Sequence, residues 1–186
     1  MKIGVYQGSF NPFHNGHKEV IDTLVKKNIV DKVIVIPSMS YWDKKIDVTI
    51  EDRINMLKLI KDENIILNTT LNNKEYTYLV LNELSKQYRD LNLIIGADNL
   101  IDFDKWKNVN EILNHKVIVI SRNNIDINKY LDNFDKSKFI IVDDFNYDIS
   151  STYIRNQIKN DNYEALNEVM DPKILSYIKK NRLYRK

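Results

Sequence analysis

The chain has 186 residues, no cysteine, and a formal net charge of +2 from 28 basic and 26 acidic side chains. The missing cysteines exclude disulfides, thiolate metal sites and a cysteine nucleophile, so any metal is held by oxygen or imidazole or arrives with a substrate. The near balance of charge gives no case for nucleic-acid binding, and no apolar run approaches the length of a membrane span.

The opening "MKIGVY" is too short for the apolar core of a signal peptide, so a soluble, cytoplasmic protein is expected. Short β-branched runs then recur: "KIGVY" (2–6), "KVIVIP" (32–37), "NIILN" (64–68), "LNLIIG" (91–96), "HKVIVIS" (115–121) and "KFIIVD" (138–143). Their near-continuous apolar character predicts strands covered on both faces. Helical period appears between them. The segment 16–28 sets Val20, Ile21, Leu24 and Val25 on one face; 50–63 aligns Ile50, Ile54, Leu57 and Ile60; 76–88 aligns Leu81, Leu84 and Tyr88. From about 150 the chain reads as helical, with Asp171 and Pro172 as cap and first-turn residue of a last helix. The basic end "KKNRLYRK" reads as a solvated helix end.

Strand alternating with helix predicts an α/β fold: a doubly wound, mostly parallel sheet with helices on both faces. One domain over 1–186 is expected, with a helical C-terminal part, because a chain of this length buries roughly 70% of its unfolded surface without staples. Open sheets of this kind bind ligands beyond the carboxyl ends of their strands, where strand order reverses.

The stretch "QGSFNPFHNGH" (7–17) follows the first strand and holds two of the chain's three histidines and two of its four glycines. Gly8 and Gly16 remove side chains where backbone must approach an anion. The N–H groups opening the next helix are expected to point outward unpaired, with the helix dipole behind them. His14 and His17 add imidazole donors; Ser9 and Asn11 add short polar groups. A zinc site would need an "HExxH" or a further ligand set, and neither is present. A purely structural strand-to-helix turn would explain the glycines alone. His115 begins a strand and reads as a packing or surface residue.

A second candidate corner is "DISSTYIR" (148–155). Ser150 and Ser151 stand where a helix begins, and Arg155 lies one turn later with a planar fork suited to phosphate oxygens. Alone, this is a serine-capped helix with a surface arginine.

Together the two stretches resemble the HxGH nucleotidyltransferase superfamily: "GSFNPFHNGH" its first signature and "ISSTYIR" its second. "IIGADNL" followed by "DKW" (94–106), and "EYTYLVLNEL" (75–84), make the chain similar to the nicotinate-nucleotide adenylyltransferase family. That resemblance implies a Rossmann-like fold and transfer of AMP from ATP to nicotinate mononucleotide, giving deamido-NAD and pyrophosphate, with Mg²⁺ riding on ATP and no metal held by the protein alone. It implies His17 and His14 as catalytic donors. Gly8, Ser9, Phe10, Gly16, Gly96, Asp98, Ser151, Thr152 and Arg155 would bind ATP with them. Asn11, Lys44, Lys45, Tyr76, Thr77, Trp106 and Lys107 would border the acceptor, Trp106 stacking on the pyridine ring. Trp106 alone would otherwise read as a core or rim aromatic. Several positions depart from the family. Gln7 replaces a glycine, Asn11 a common aspartate and Leu79 a usual acidic residue. The loop "PSMSYWDKKID" lacks "PPHK", so Lys44 or Lys45 stands in for its lysine and Trp42 is a second candidate for the ring. Adenylyltransferases for nicotinamide mononucleotide or phosphopantetheine, and a non-catalytic nucleotide-binding regulator, are the alternatives.

Overall fold

The structure, a computed structural model, describes residues 1–39, 48–122, 124–143, 145 and 148–186. Six parallel strands form one sheet: β1 (Lys2–Gly8), β2 (Lys32–Pro37), β3 (Ile65–Leu67), β4 (Asp90–Gly96), β5 (Lys116–Ile120) and β6 (Phe139–Val142). Their order is β3-β2-β1-β4-β5-β6. Each apolar run identified in the sequence is one of these strands. The chain winds outward from β1 to β3, then returns to the other side of β1 for β4. That reversal falls between β1 and β4, so their carboxyl ends, Gly8 and Gly96, flank the crevice where such sheets take ligands.

The period-2 alternation of strand side chains divides the core into two layers. Tyr6, Val33, Val35, Ile94 and Ile118 face one side, and pack against α1 (Asn15–Lys26), α2 (Ile50–Lys58), α7 (Ser151–Lys159) and α8 (Pro172–Lys180). Ile3, Val5, Ile34, Ile36, Leu93 and Val117 face the other, against α3 (Thr77–Leu84), α4 (Ala97–Leu100), α5 (Val109–Ile112) and α6 (Ile127–Leu131). Helices thus cover both faces, as the alternation of elements predicts. Asp171 caps α8 by accepting from the Lys173 N–H at 2.8 Å, with Pro172 in the first turn.

Two helices are shorter than their apolar periodicity suggests. α2 ends at Lys58 rather than near 63 because Asp62 starts a turn: its Oδ1 accepts from the Asn64 N–H at 2.8 Å and its carbonyl from the Ile65 N–H. That local bond offers the backbone an alternative to helix and launches β3. α3 stops at Leu84, where the Ser85 hydroxyl donates to the Leu81 carbonyl at 2.7 Å. Among the described residues no helix is long and apolar enough to cross a membrane.

Gly4, in the middle of β1, is there for space. A Cβ at this position would lie 2.7 Å from Ile94 Cδ1 and 3.3 Å from Val33 Cγ2. Gly4→Ala is expected to lower unfolding free energy by about 1–2 kcal/mol through overpacking. Ile94→Val removes the clashing methyl, so it should cost less in that background than in the native chain. Urea unfolding of the four proteins checks this; an equal cost in both backgrounds would refute it.

Candidate active site

The turn from β1 into α1 has an unusual cap. His14 is the N-cap of α1, and its Nδ1 accepts from the Gly16 N–H at 3.0 Å. The His14 N–H in turn donates to Nδ1 of His17 at 3.2 Å. Two imidazoles thus fill the reciprocal roles usually taken by Ser and Glu in a capping box. An Nδ1 that accepts carries no proton, so each ring is the Nε2–H tautomer. The rings stack with centroids 3.8 Å apart, and Phe13 (5.2 Å) and Phe10 (5.0 Å) pack on His17. Both imidazoles resist protonation. Burial pushes His14 down to about 4, with the Arg122 guanidinium adding to it. Burial, then the neighbouring His14 and Arg122, hold His17 well below the ordinary range.

The first-turn N–H groups of α1 are not all free, contrary to the expectation from sequence. The Asn15 N–H donates to the Val169 carbonyl at 2.9 Å, and that of Gly16 is taken by His14. The 168–169 segment approaches α1 closely enough to use the first, with Asn15 Nδ2 also donating to the Glu168 carbonyl at 3.0 Å. What the turn presents is therefore imidazole N–H more than backbone N–H.

The loop ahead of it is tightly constrained. Phe10 is buried with φ of 45°, a left-handed conformation that is costly for a bulky residue, and the Asn11–Pro12 peptide is cis. Its ring covers Gly8: a Cβ there would meet Phe10 Cζ at 3.3 Å. Ser9 is exposed, while Asn11 is 6% exposed.

The second corner docks on this loop. Ser150 caps α7 by accepting from the Tyr153 N–H. The Ser151 hydroxyl donates to the Pro12 carbonyl at 3.0 Å. Arg155 Nη1 donates to the Asn11 carbonyl at 2.9 Å, and Nη2 to Thr152 Oγ1 at 3.1 Å. Groups 139 and 144 residues apart in sequence are therefore in contact, and the Arg155 guanidinium lies three residues from His14 along the loop.

At the end of β4, Asp98 folds back so that a Cβ on Gly96 would sit 2.5 Å from its Oδ1 and 3.7 Å from Arg122 Cδ. A larger residue at 96 would displace that carboxylate. Arg122, exposed just beyond β5, is a cation of this corner that the sequence did not single out. Its charge acts on Tyr6, whose burial pushes its phenol up to about 12, and on both imidazoles. Only its place after a strand end hinted at this.

Of the proposed acceptor residues, Tyr76, Thr77, Trp106 and Lys107 belong to segments on the other face of the sheet. Trp106 is half-buried, its ring 5.1 Å from that of Phe103 and packed on the second core cluster. Lys107 beside it is exposed. Tyr76 caps α3 ahead of Thr77, both half-buried, and Asn82 of α3 donates to Glu111 of α5 at 3.0 Å, so these helices are neighbours. Gln7, next to last in β1, has its Oε1 buried and, among the described residues, unpartnered. Trp42, Lys44 and Lys45 lie outside the described residues.

A six-stranded parallel sheet with a strained loop, paired imidazoles and two guanidiniums at its switch point defines a nucleotide-binding α/β protein of the nucleotidyltransferase type. The sequence model of the cytidylyltransferase-like family matches residues 5–157. The chain belongs to that family and, within it, to the nicotinate-nucleotide adenylyltransferases. A Fusobacterium nucleatum relative named "Probable nicotinate-nucleotide adenylyltransferase" is 33% identical over 97% of this chain and 98% of its own. One of the same name from Clostridium novyi is 34% identical over 99% of each. Among solved structures, the Plasmodium falciparum nicotinic acid mononucleotide adenylyltransferase complexed with NaAD shares the fold. Its TM-score is 0.78 at 22% identity, covering 98% of this chain and 97% of that one.

Because His14 titrates lower in the folded chain than its unfolded value near 6.5, the stability it supports is complete above that pH. It is lost as pH falls from about 6.5 to about 4. Unfolding free energy should drop by on the order of 3 kcal/mol from this group across that window. His14→Asn, which keeps a capping oxygen, should flatten that part of the profile. Arg122→Gln should raise both imidazoles, read by NMR titration; unmoved imidazoles would remove Arg122 from the site.

Proposed function

We propose that this chain joins the AMP moiety of ATP to nicotinate mononucleotide, releasing pyrophosphate and forming deamido-NAD. The observation that carries the reading is the meeting of the two corners: His14 and His17 stand on the turn whose Asn11 carbonyl receives Arg155. Full-length relatives bearing that activity in their names support the choice of acceptor.

In this reaction the acceptor's 5′-phosphate oxygen attacks the α-phosphorus of ATP in line, and the bond from that phosphorus to the pyrophosphate oxygen breaks. A phosphate is already a competent nucleophile near neutral pH, so the protein supplies position and charge stabilisation. The Nε2–H groups of His17 and His14 donate to α-phosphate oxygens as these gain charge. Gly8, Ser9, Phe10 and Gly16 shape the loop around the triphosphate. Arg155, Ser151 and Thr152 hold its far end, and Arg122 adds a cation at the mouth. Gly96 and Asp98 border the adenosine, Asp98 accepting from ribose hydroxyls. Trp106 stacks on the pyridine ring, with the Lys107 N–H on its carboxylate and Tyr76, Thr77 and Asn11 along the wall. Lys44 or Lys45 completes the phosphate contacts.

Members of this family generally use Mg²⁺. Among the described residues no cluster of three or more His, Asp or Glu is set to hold a metal. The donors at the turn are N–H groups, which repel a cation, so Mg²⁺ enters on the ATP phosphates as part of the substrate. The contacts of Ser151 with Pro12 and of Tyr184 with Asn11 support one nucleotidyltransferase domain over 1–186, the helical part from about 150 included. A cytoplasmic enzyme fits a chain without cysteine that consumes ATP.

Purified chain supplied with ATP, Mg²⁺ and one acceptor at a time should release pyrophosphate fastest with nicotinate mononucleotide, ahead of nicotinamide mononucleotide and phosphopantetheine. His17→Ala should cut kcat on the order of 10²- to 10³-fold with KM changed far less. ATP binding without pyrophosphate from any acceptor would instead make the chain a regulator.

A further inference from the structure

The phosphate-side loop is held from three remote places, and one of them is the last turn of the chain. Arg53 of α2, 3% exposed, donates through Nη1 to the carbonyls of Ser9 (2.6 Å) and Ser38 (2.8 Å). α7 reaches Asn11 and Pro12 as described. The third contact comes from Tyr184, 173 residues away: its hydroxyl donates to Asn11 Oδ1 at 2.7 Å, with both residues buried. After α8 the chain turns sharply, the Leu183 N–H donating to the Ile178 carbonyl at 3.1 Å. Arg182 and Tyr184 both adopt left-handed backbone, with φ of 52° and 64°. Two such residues in three carry a conformational cost that only a compensating contact sustains. That contact is the buried phenol.

We infer that Tyr184 is a positioning residue for adenylyl transfer. Through Asn11 it holds the 9–12 loop in the strained shape that sets the His14–His17 pair. The chemistry of the contact supports this. Burial keeps the phenol protonated against the opposing pull of the Arg53 and Arg155 guanidiniums, and its proton is given to Asn11 Oδ1. Asn11 therefore presents its oxygen to Tyr184, which fixes the amide's orientation and commits its Nδ2 donors to the opposite side. Loss of the hydroxyl strands a buried acceptor and frees that amide to turn. The loop around Phe10 would then be held through its carbonyls, by Arg53, Ser151 and Arg155. A last-turn tyrosine thus ties the end of the chain to the start of its chemistry.

This rests on the proposed reaction for its kinetic test but not for its structural one. Tyr184→Phe keeps the ring and removes the hydroxyl. It should lower kcat about tenfold with ATP and nicotinate mononucleotide, leaving KM for ATP within about twofold. In an Asn11→Ala background the same change should cost less than about twofold, because the partner it acts through is gone. Amide exchange at His14, whose N–H rests on His17, should quicken at least about tenfold in Tyr184→Phe, while amides of Gly4 to Tyr6 in β1 hold their rates. Equal kcat losses in both backgrounds, or an unchanged kcat, would make Tyr184 merely structural. An unaltered His14 amide would overturn the inference whatever the activity. A native chain inactive with every acceptor would sink the reaction, and the exchange measurement would still judge the tyrosine.

Discussion

Two backbone N–H groups at the start of α1 end on imidazole Nδ1 atoms, one from Gly16 to His14 and one from His14 to His17. A serine or aspartate at either place would satisfy the same N–H and then have nothing further to give. Imidazole differs because its second nitrogen lies on the far side of the ring. The helix cap thereby fixes a tautomer, and the tautomer fixes a donor directed away from the backbone. Other features of the corner serve this arrangement: Phe10 and Phe13 pack the His17 ring in place, and burial, with Arg122 adding to it, keeps protons off both rings.

The cap would be useless on a loop free to choose its own shape. Phe10 cannot hold φ at 45° unaided, and the compensation is tertiary, from Arg53, Ser151 and Arg155 on three carbonyls and Tyr184 on a side chain. The sheet makes these meetings possible. Because strand order reverses between β1 and β4, the turns after both open onto one crevice. Helices α2, α7 and α8, all on the face that carries Tyr6, are brought against the same loop. The opposite face carries Trp106 and α3, so the half-buried tryptophan and the paired imidazoles belong to different layers of the core.

Much of this was legible in the chain, and the reason lies in how local each signal is. Six parallel strands buried on both faces write themselves as β-branched runs, so "KVIVIP" and "HKVIVIS" needed no partner to be read. The two histidines stood out by sharing one short glycine-bearing turn, and their role came from the resemblance of "GSFNPFHNGH" to a family signature. The ends of α2 and α3 were misjudged because Ile60 and Tyr88 keep the helical period after side-chain bonds from Asp62 and Ser85 have ended the helix. Arg53 and Tyr184 carried no local mark. Arg53 sits in an ordinary amphipathic helix and Tyr184 in a basic tail that reads as solvated; their meaning comes from contacts 44 and 173 residues away. The expectation of open N–H groups on α1 failed for the same reason, since only the folded chain places Val169 over Asn15.

The electrostatics of the corner then divide into two kinds of positive group. Rings 3.8 Å apart, each lending a lone pair to the backbone, cannot both hold an extra proton without breaking the cap, so they remain neutral donors. The formal charge belongs to Arg122, which is exposed, and to Arg155, which is half-buried and bonded to Asn11 and Thr152. A full charge pressed on the α-phosphate would stabilise bound ATP nearly as well as the transition state, which improves binding without raising turnover. A neutral, rigid N–H donor gains most when the oxygen it meets becomes more negative. On the proposed reading, placing neutral imidazoles at the reacting phosphorus and guanidiniums at the periphery is what lets tight binding of a triphosphate coexist with its rapid cleavage.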